Sequence, residues 1–176
     1  MTLQIFIVAL ASTVSAVVAQ QQQTHQFQSS GPQLANPRMD FAANLRIAKE
    51  TELLRQKRRL TEDEFLALAA EPGTVILDAR SADKYRIRHV KGAVNLPFTD
   101  FTAHALAKVI PTKDTRVLIY CNNNFRGDHV AFAEKRAAAA LNISTFTNLR
   151  IYGYTNVYEL GPLVDVQTTK LTLEAQ

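Results

Sequence analysis

The chain has 176 residues, a formal net charge of +4, 47% hydrophobic side chains and a single cysteine. This length accommodates one domain with a substantial core and some additional segments. One cysteine excludes a disulfide framework within the chain. The modest charge, with no aromatic residues interleaved among the basic ones, argues against nucleic-acid partners.

Residues 1–19 carry no charged side chain, and their apolar centre at 5–11 is followed by the small residues Val17, Val18 and Ala19. The apolar run is too short for a membrane span and is typical of a secretory signal peptide. An uncleaved anchor is the alternative interpretation. We therefore expect an exported protein, periplasmic or secreted, with no stable membrane span once the signal is removed.

Residues 20–38 are rich in glutamine and have too little apolar content for a core, so they are predicted to be a disordered linker. Residues 39–59 contain good helix formers and no glycine or proline, which predicts an N-terminal basic helix. Its weak apolar stripe consists of Phe41, Leu45, Ala48 and Leu54. Four of its last five residues are basic, which suits either a solvated helix end or a patch for acidic partners.

A second helix is predicted to begin at Thr61, because Thr61 and Glu64 match a capping box and Leu60 and Phe65 match a hydrophobic staple. Short apolar runs and helical segments then alternate, which favours a parallel sheet in an α/β domain over residues 60–166. The predicted elements are strands at 74–77, 94–97 and 117–120 and helices at 83–88 and 101–108. Residues 167–176 are predicted to be a C-terminal tail.

Cys121 follows the apolar run 117–120 and precedes Asn122, Asn123 and Asn124. A buried strand that ends in a polar loop is the place where open α/β sheets bind ligands. The competing interpretation is that a lone cysteine acts as a small buried hydrophobe. The strand-end position makes Cys121 the candidate nucleophile.

Several segments follow one another in a recognisable order: Leu77 to Arg80, Tyr85, His89 to Pro97, Ile119 to Cys121 with Arg126, and Gly153 to Leu160. In this order they resemble the rhodanese family. The resemblance implies a doubly wound sheet of about five parallel strands with helices on both faces, here preceded by the N-terminal helix. It also implies that the cysteine carries sulfur as a persulfide.

The resemblance places the catalytic thiolate at Cys121 and a substrate-binding loop over Asn122, Asn123, Asn124, Phe125, Arg126 and Gly127. Backbone N–H groups of this loop are expected to lower the pKa of the thiol from about 8.5. Arg126 is expected to pair with the anionic end of a donor such as thiosulfate. Asp78 and Arg80 are supporting residues that either shape the site or form a structural ion pair.

The segment from Gly127 to Tyr152 is longer than the single helix that the family places between the cysteine loop and Gly153. In one arrangement the family helix begins at Gly127 or Asp128 and the extra residues are 142–151. In the other, which we favour, the helix is 144–152 and the excursion is 127–141. In the second arrangement Arg126 faces the solvent and the loop around Cys121 is not a standard one.

Two functions follow from this sequence. The first is an exported sulfurtransferase that moves sulfane sulfur from a small sulfur-containing anion through Cys121 to a thiophilic acceptor, which includes protein thiols. The second is a weakly active or inactive module that binds an anion or a protein partner in the same pocket. No sequence motif predicts a cofactor or a metal ion.

Overall fold

Helices and short strands alternate through residues 36–176, the part of the chain that the computed structural model describes. The predicted signal peptide at 1–19 and most of the predicted linker at 20–38 lie outside the described residues. The α-helices are α1 (Phe41–Gln56), α2 (Glu62–Ala69), α3 (Ala82–Ile87), α4 (Ala103–Val109) and α5 (Leu141–Ile151). The strands are β1 (Arg59–Leu60), β2 (Val75–Asp78), β3 (His89–Val90), β4 (Val94–Asn95), β5 (Val117–Tyr120), β6 (Phe125–Arg126), β7 (Val157–Leu160), β8 (Val164–Asp165) and β9 (Leu173–Glu174).

Five strands form a parallel sheet in the order β1-β7-β5-β2-β4. The central strand β5 is buried along its whole length, as its uninterrupted apolar run predicts. Its even-numbered side chains join a core that contains Phe65 of α2, and its odd-numbered ones join a core that contains Leu106 of α4 and Phe146 of α5. The predicted parallel sheet with helices on both faces is therefore confirmed.

The capping box at the start of α2 is present, because Thr61 accepts a hydrogen bond from the Glu64 backbone and the Glu64 carboxylate accepts one from the Thr61 N–H. The predicted tail is folded onto the domain. Strand β9 pairs antiparallel with β3, and Leu171 is buried in the core. Apolar residues at 171 and 173 explain this packing, since an exposed tail would leave both in water.

Helix α1 begins after Asp40, whose carboxylate accepts a hydrogen bond from the Ala43 N–H. Only part of the predicted apolar stripe packs: Phe41 and Leu45 are 79% and 44% exposed, whereas Leu54 packs against the core. Thr51, which was not predicted, is buried, and the helix packs against α5. The helix is attached to the domain by a short segment near its C-terminal end. The weak apolar periodicity of its sequence did not predict which residues pack. Within residues 36–176, no helix has the length and apolar character to cross a membrane.

The second arrangement of the segment after Cys121 is confirmed. Residues 127–140 form an irregular excursion, and α5 occupies Leu141–Ile151. The helix ends at Ile151, and Gly153, two residues later, has a φ of +85° that only glycine adopts readily. The β-branched residues of α5 alternate as in a strand, but burial of Phe146 and Leu149 against the sheet outweighs that propensity.

Candidate active site

Cys121 lies directly after β5, where the sheet face that carries Val117 and Ile119 meets the start of α5. The residue is only 2% exposed. The backbone N–H groups of Leu141, Asn142 and Asn123 interact with its sulfur and favour the thiolate, which lowers the pKa of the thiol. The first two belong to the N-terminus of an eleven-residue helix, where unpaired N–H groups favour an anion. Two of these three N–H groups thus come from the helix that follows the excursion, whereas the sequence placed all of them in the loop after Cys121.

The first two asparagines after Cys121 hold the excursion in place. Asn122 donates a hydrogen bond from its side chain to the carbonyl of Ala133. Asn123 donates to the carbonyl of Lys135 at 2.7 Å and accepts from the Lys135 N–H at 3.1 Å. The side chains of Asn122 and Asn123 thus form hydrogen bonds with the backbone of residues 133–135. They therefore fix the path by which the chain returns to the start of α5.

Asn124 ties the cysteine to the neighbouring strand. Its Oδ1 accepts from the Cys121 N–H at 2.9 Å, and its Nδ2 donates to the carbonyls of Leu160 and Pro162 at 2.8 and 3.2 Å. These bonds fix the orientation of the amide. Asn142 in turn donates to Asn124 Oδ1 at 3.1 Å. The Asn142 Oδ1 is buried and has no hydrogen-bond partner among residues 36–176.

The remaining residues of the predicted loop lie elsewhere. Phe125 is buried and stacks on Phe132 of the excursion, with ring centroids 4.2 Å apart. The Arg126 side chain is 66% exposed and pairs with Asp165 at 3.3 Å. Gly127 has a φ of +90° and turns the chain outward. The structure does not bring these three residues to the cavity beside Cys121.

A cavity of about 120 Å³ opens beside Cys121, and we call it the Cys121 cavity. Its walls contain three charged residues that sequence analysis did not assign to the site: Arg55 at the end of α1, Arg59 of β1 and Glu159 of β7. The full lining is Arg55, Arg59, Cys121, Asn123, Asn124, Ala140, Asn142, Glu159, Leu160 and Gly161. The N-terminal helix is therefore part of the site.

Glu159 is 1% exposed and is held by both arginines. Arg55 Nε donates to its Oε2 at 2.8 Å, and Arg59 Nε lies 3.2 Å from its Oε1. Burial raises the pKa of Glu159 above its usual value, and the two guanidinium groups oppose that change. A sequence signal existed, because Glu159 interrupts an apolar strand, and a charge in such a run needs partners.

Burial also raises the pKa of Cys121 above the ordinary value of a thiol. The N–H groups of Asn142, Asn123 and Leu141 lower the pKa of Cys121, and the negative charge of Glu159 raises it. The expected lowering by backbone N–H groups is thus present but is outweighed by desolvation. Cys121 is therefore largely a thiol at neutral pH.

Asp78 and Arg80 form a separate buried cluster. Arg80 Nε donates to both Asp78 oxygens at 2.9 and 3.1 Å, and Tyr120 donates its hydroxyl to Asp78 at 2.5 Å. Arg80 also donates to the carbonyls of Ala131 and Arg88. Burial, followed by the Asp78 charge, raises the pKa of Tyr120 well above its usual value. The cluster joins β2, β5 and the excursion, as the structural interpretation predicted.

A larger crevice of about 690 Å³ lies on the other side of the loop that follows Cys121, where the ends of β2 and β5 meet. Its lining includes Arg80, Asn122 and Lys135, and it does not include Cys121. Within residues 36–176, no group of three histidine, cysteine or acidic side chains is arranged to hold a metal ion.

Comparison with known proteins identifies relatives of this domain. A family model described as "Rhodanese-like domain" matches residues 61–161. The thiosulfate sulfurtransferase PspE of Escherichia coli K12 is 30% identical over 95 residues, which cover 54% of this chain and 76% of PspE.

Two solved structures are similar to this chain at lower identity. The rhodanese-like domain of Alr3790 from Anabaena sp. is 18% identical with a TM-score of 0.48, and the match covers 68% of this chain and 80% of that one. An EanB variant in complex with hercynine is 23% identical with a TM-score of 0.45 over 59% of this chain. This chain spans only 24% of EanB.

Proposed function

The chain belongs to the rhodanese-like domain family, and from that membership we propose that it is a sulfurtransferase that carries sulfane sulfur as a persulfide on Cys121. One observation carries the proposal. The only sulfur nucleophile of the chain lies at the carboxyl end of the central strand, facing the N-terminus of α5 and an open cavity. An anion formed there is stabilised by N–H groups that need no rearrangement.

The reaction has two displacement steps. In the first, the Cys121 thiolate attacks the outer sulfur of thiosulfate, a sulfur–sulfur bond forms, the donor's own sulfur–sulfur bond breaks, and sulfite leaves with the electron pair. In the second, a thiophilic acceptor such as cyanide or a thiolate attacks the terminal sulfur and the Cys121 thiolate is restored. The N–H groups of Leu141 and Asn142 stabilise the negative charge on Cys121 at the start and at the end.

Mass spectrometry of the intact chain tests this proposal. Incubation with thiosulfate should add one sulfur atom to the protein, and cyanide should remove it with formation of thiocyanate. The Cys121→Ser variant should gain no sulfur. A wild-type chain that stays unmodified after prolonged incubation with thiosulfate and with a soluble polysulfide would rule out sulfur transfer.

A second candidate function is a binding module that holds an anion or a protein partner without turnover. The burial of Cys121 and the raised pKa of its thiol favour it, because a buried thiol is a poor nucleophile. The two functions differ in one measurement. A binding module should bind sulfite or sulfate by calorimetry with equal affinity in the wild type and the Cys121→Ser variant, without ever gaining sulfur.

We further propose that the protein works outside the cytoplasm. The proposal is supported by the uncharged, apolar residues 1–19, which match a secretory signal. Expression of the full chain followed by fractionation and N-terminal sequencing tests it. Cleavage after residue 19 is expected, and a protein recovered intact with the cytosol would contradict it.

A further inference from the structure

We propose that Arg55 and Arg59 form the anion subsite of the Cys121 cavity and select sulfur compounds that carry a negative charge. The inference deepens the proposed sulfur transfer, and it rests on it for the identity of the donor. Both arginines lie outside residues 61–161, the part that matches the rhodanese-like family. The N-terminal helix therefore adds a specificity element to the family domain.

The guanidinium groups retain hydrogen-bond donors for a ligand. In the described residues, Arg55 bonds only through Nε, to Glu159, so both of its Nη atoms are without a partner. Arg59 uses Nε for Glu159 and Nη2 for the carbonyl of Gly161 at 2.8 Å, which leaves Nη1. Planar groups with adjacent free N–H bonds match the oxygens of a sulfonate or carboxylate.

The charge of the cavity also favours an anion. Two guanidinium charges face one carboxylate, so the three side chains carry a net charge of +1. The Glu159 carboxylate pairs with the Nε groups of Arg55 and Arg59 and so anchors both guanidinium groups beside Cys121. The arginine side chains are 27% and 53% exposed, so they connect the buried sulfur to the solvent from which the anion enters.

The size of the cavity restricts the ligand further. Its volume of about 120 Å³ is well below the roughly 300–1,000 Å³ of pockets that hold drug-sized ligands. Gly161 forms part of the wall, and a Cβ at this position would lie 3.0 Å from the Leu60 carbonyl oxygen. A small anion such as thiosulfate is therefore the class of ligand that suits this cavity.

Alkylation of Cys121 in the full chain by a matched pair of reagents tests the subsite. Iodoacetate is an anion and iodoacetamide is its neutral analogue, and both react with the same thiolate, so their rate ratio cancels changes in the thiol pKa. We expect Arg55→Gln and Arg59→Gln to lower the iodoacetate to iodoacetamide ratio about tenfold each, as loss of a charge-assisted hydrogen bond predicts. Both variants should raise KM for thiosulfate more than they lower kcat.

Arg126→Gln is the matched control, because Arg126 is an exposed arginine that pairs with an acid away from the cavity. Its ratio should stay within about twofold of the wild type. Should either arginine variant fail to fold by circular dichroism, Arg55→Lys and Glu159→Gln replace it. Arg55→Lys should lower the iodoacetate to iodoacetamide ratio, because lysine lacks the planar guanidinium group. Glu159→Gln should raise that ratio, because it frees both guanidinium groups to bind the anion.

Equal iodoacetate to iodoacetamide ratios in the wild type and the arginine variants would overturn the subsite. A ratio for Arg126→Gln that falls as far as those of the arginine variants would overturn it as well. A native Cys121 that reacts with neither reagent would also overturn it, because an anion subsite requires an accessible cavity. The alkylation outcomes do not depend on sulfur transfer. A chain that shows the expected ratios but gains no sulfur from thiosulfate retains the subsite and loses only the proposed function.

Discussion

Two buried carboxylates, Asp78 and Glu159, lie near the carboxyl ends of β2 and β7, the two strands that flank β5, and each is paired with arginine. The partners of Asp78 are all internal, since Arg80 is 2% exposed and Tyr120 is 1% exposed. The partners of Glu159 reach the solvent from α1 and β1. A closed cluster serves to fix the fold, whereas an open cluster beside a nucleophile can exchange its contacts with a ligand.

The two clusters should therefore respond differently when the carboxylate is removed. Asp78→Asn leaves the Arg80 guanidinium charged and buried, which we expect to cost about 3–5 kcal/mol of unfolding free energy. Urea denaturation of the wild type and the variant measures this difference. Asp83→Asn is the control, because Asp83 and Arg86 form an exposed pair whose loss should cost less than about 1 kcal/mol. Equal costs in the two variants would contradict the structural role of the Asp78 cluster.

Asn124→Ala should have the next largest effect. It removes the acceptor of the buried Cys121 N–H and the donor to the Leu160 carbonyl, and we expect a loss of about 1–3 kcal/mol in urea denaturation. The same change should lower the rate of persulfide formation, because Asn124 also holds Asn142 at the start of α5. Asn148→Ala, which removes a local side-chain bond to the carbonyl of Ser144, is the matched control and should leave that rate unchanged. A stable Asn124→Ala chain with the wild-type rate would show that this network does not position the cysteine.

The closed cluster and the central strands were the parts of the molecule that sequence analysis predicted well. The apolar run before Cys121 and the run before Asp78 specify buried parallel strands through composition alone. Each run ends at a polar or reactive side chain, so the strand-end rule located Cys121. These are local properties, and they survive changes in the length of the loops between strands.

The open cluster was missed because its members come from distant parts of the chain. Arg126 has the spacing from Cys121 that a short loop requires, but the excursion at 127–140 directs the chain away before α5 returns it. A cation that does line the Cys121 cavity is Arg55, which pairs with Glu159 although the two are 104 residues apart in the sequence. Only the docking of α1 on α5 reveals this pairing, and the weak apolar pattern of α1 did not predict that docking.

Glu159→Gln should cost much less unfolding free energy than Asp78→Asn, and this difference distinguishes the open cluster from the closed one. The arginines that it leaves behind are partly exposed and can be solvated, so we expect a change of about 1 kcal/mol or less in urea denaturation. A loss as large as that of Asp78→Asn would show that the two clusters are equivalent.

The pH dependence of Cys121 alkylation should change in the same variant. In the wild type, burial raises the pKa of the thiol and the Glu159 charge raises it further, so the rate of reaction with iodoacetamide should rise only at alkaline pH. Removal of that negative charge lowers the pKa of Cys121, and the profile should move to lower pH. Asp165→Asn, which removes a partly exposed acid that pairs with Arg126 away from the Cys121 cavity, is the control and should not move the profile. A shift to higher pH in Glu159→Gln would mean that Glu159 acts mainly through the arginines it holds.

Arg126→Gln should have the smallest effect of all, although the family resemblance assigns Arg126 to the anion. Its side chain is mostly exposed and its pair with Asp165 is a surface ion pair, which contributes about 1 kcal/mol at most. We expect kcat and KM for thiosulfate to stay within about twofold of the wild type, since loss of a cation that binds the donor would cost about tenfold in KM. Kinetics of thiocyanate formation with this variant decide between the two positions. A tenfold rise in KM for Arg126→Gln, with none for Arg55→Gln, would place the anion at the loop and leave α1 with a purely structural role.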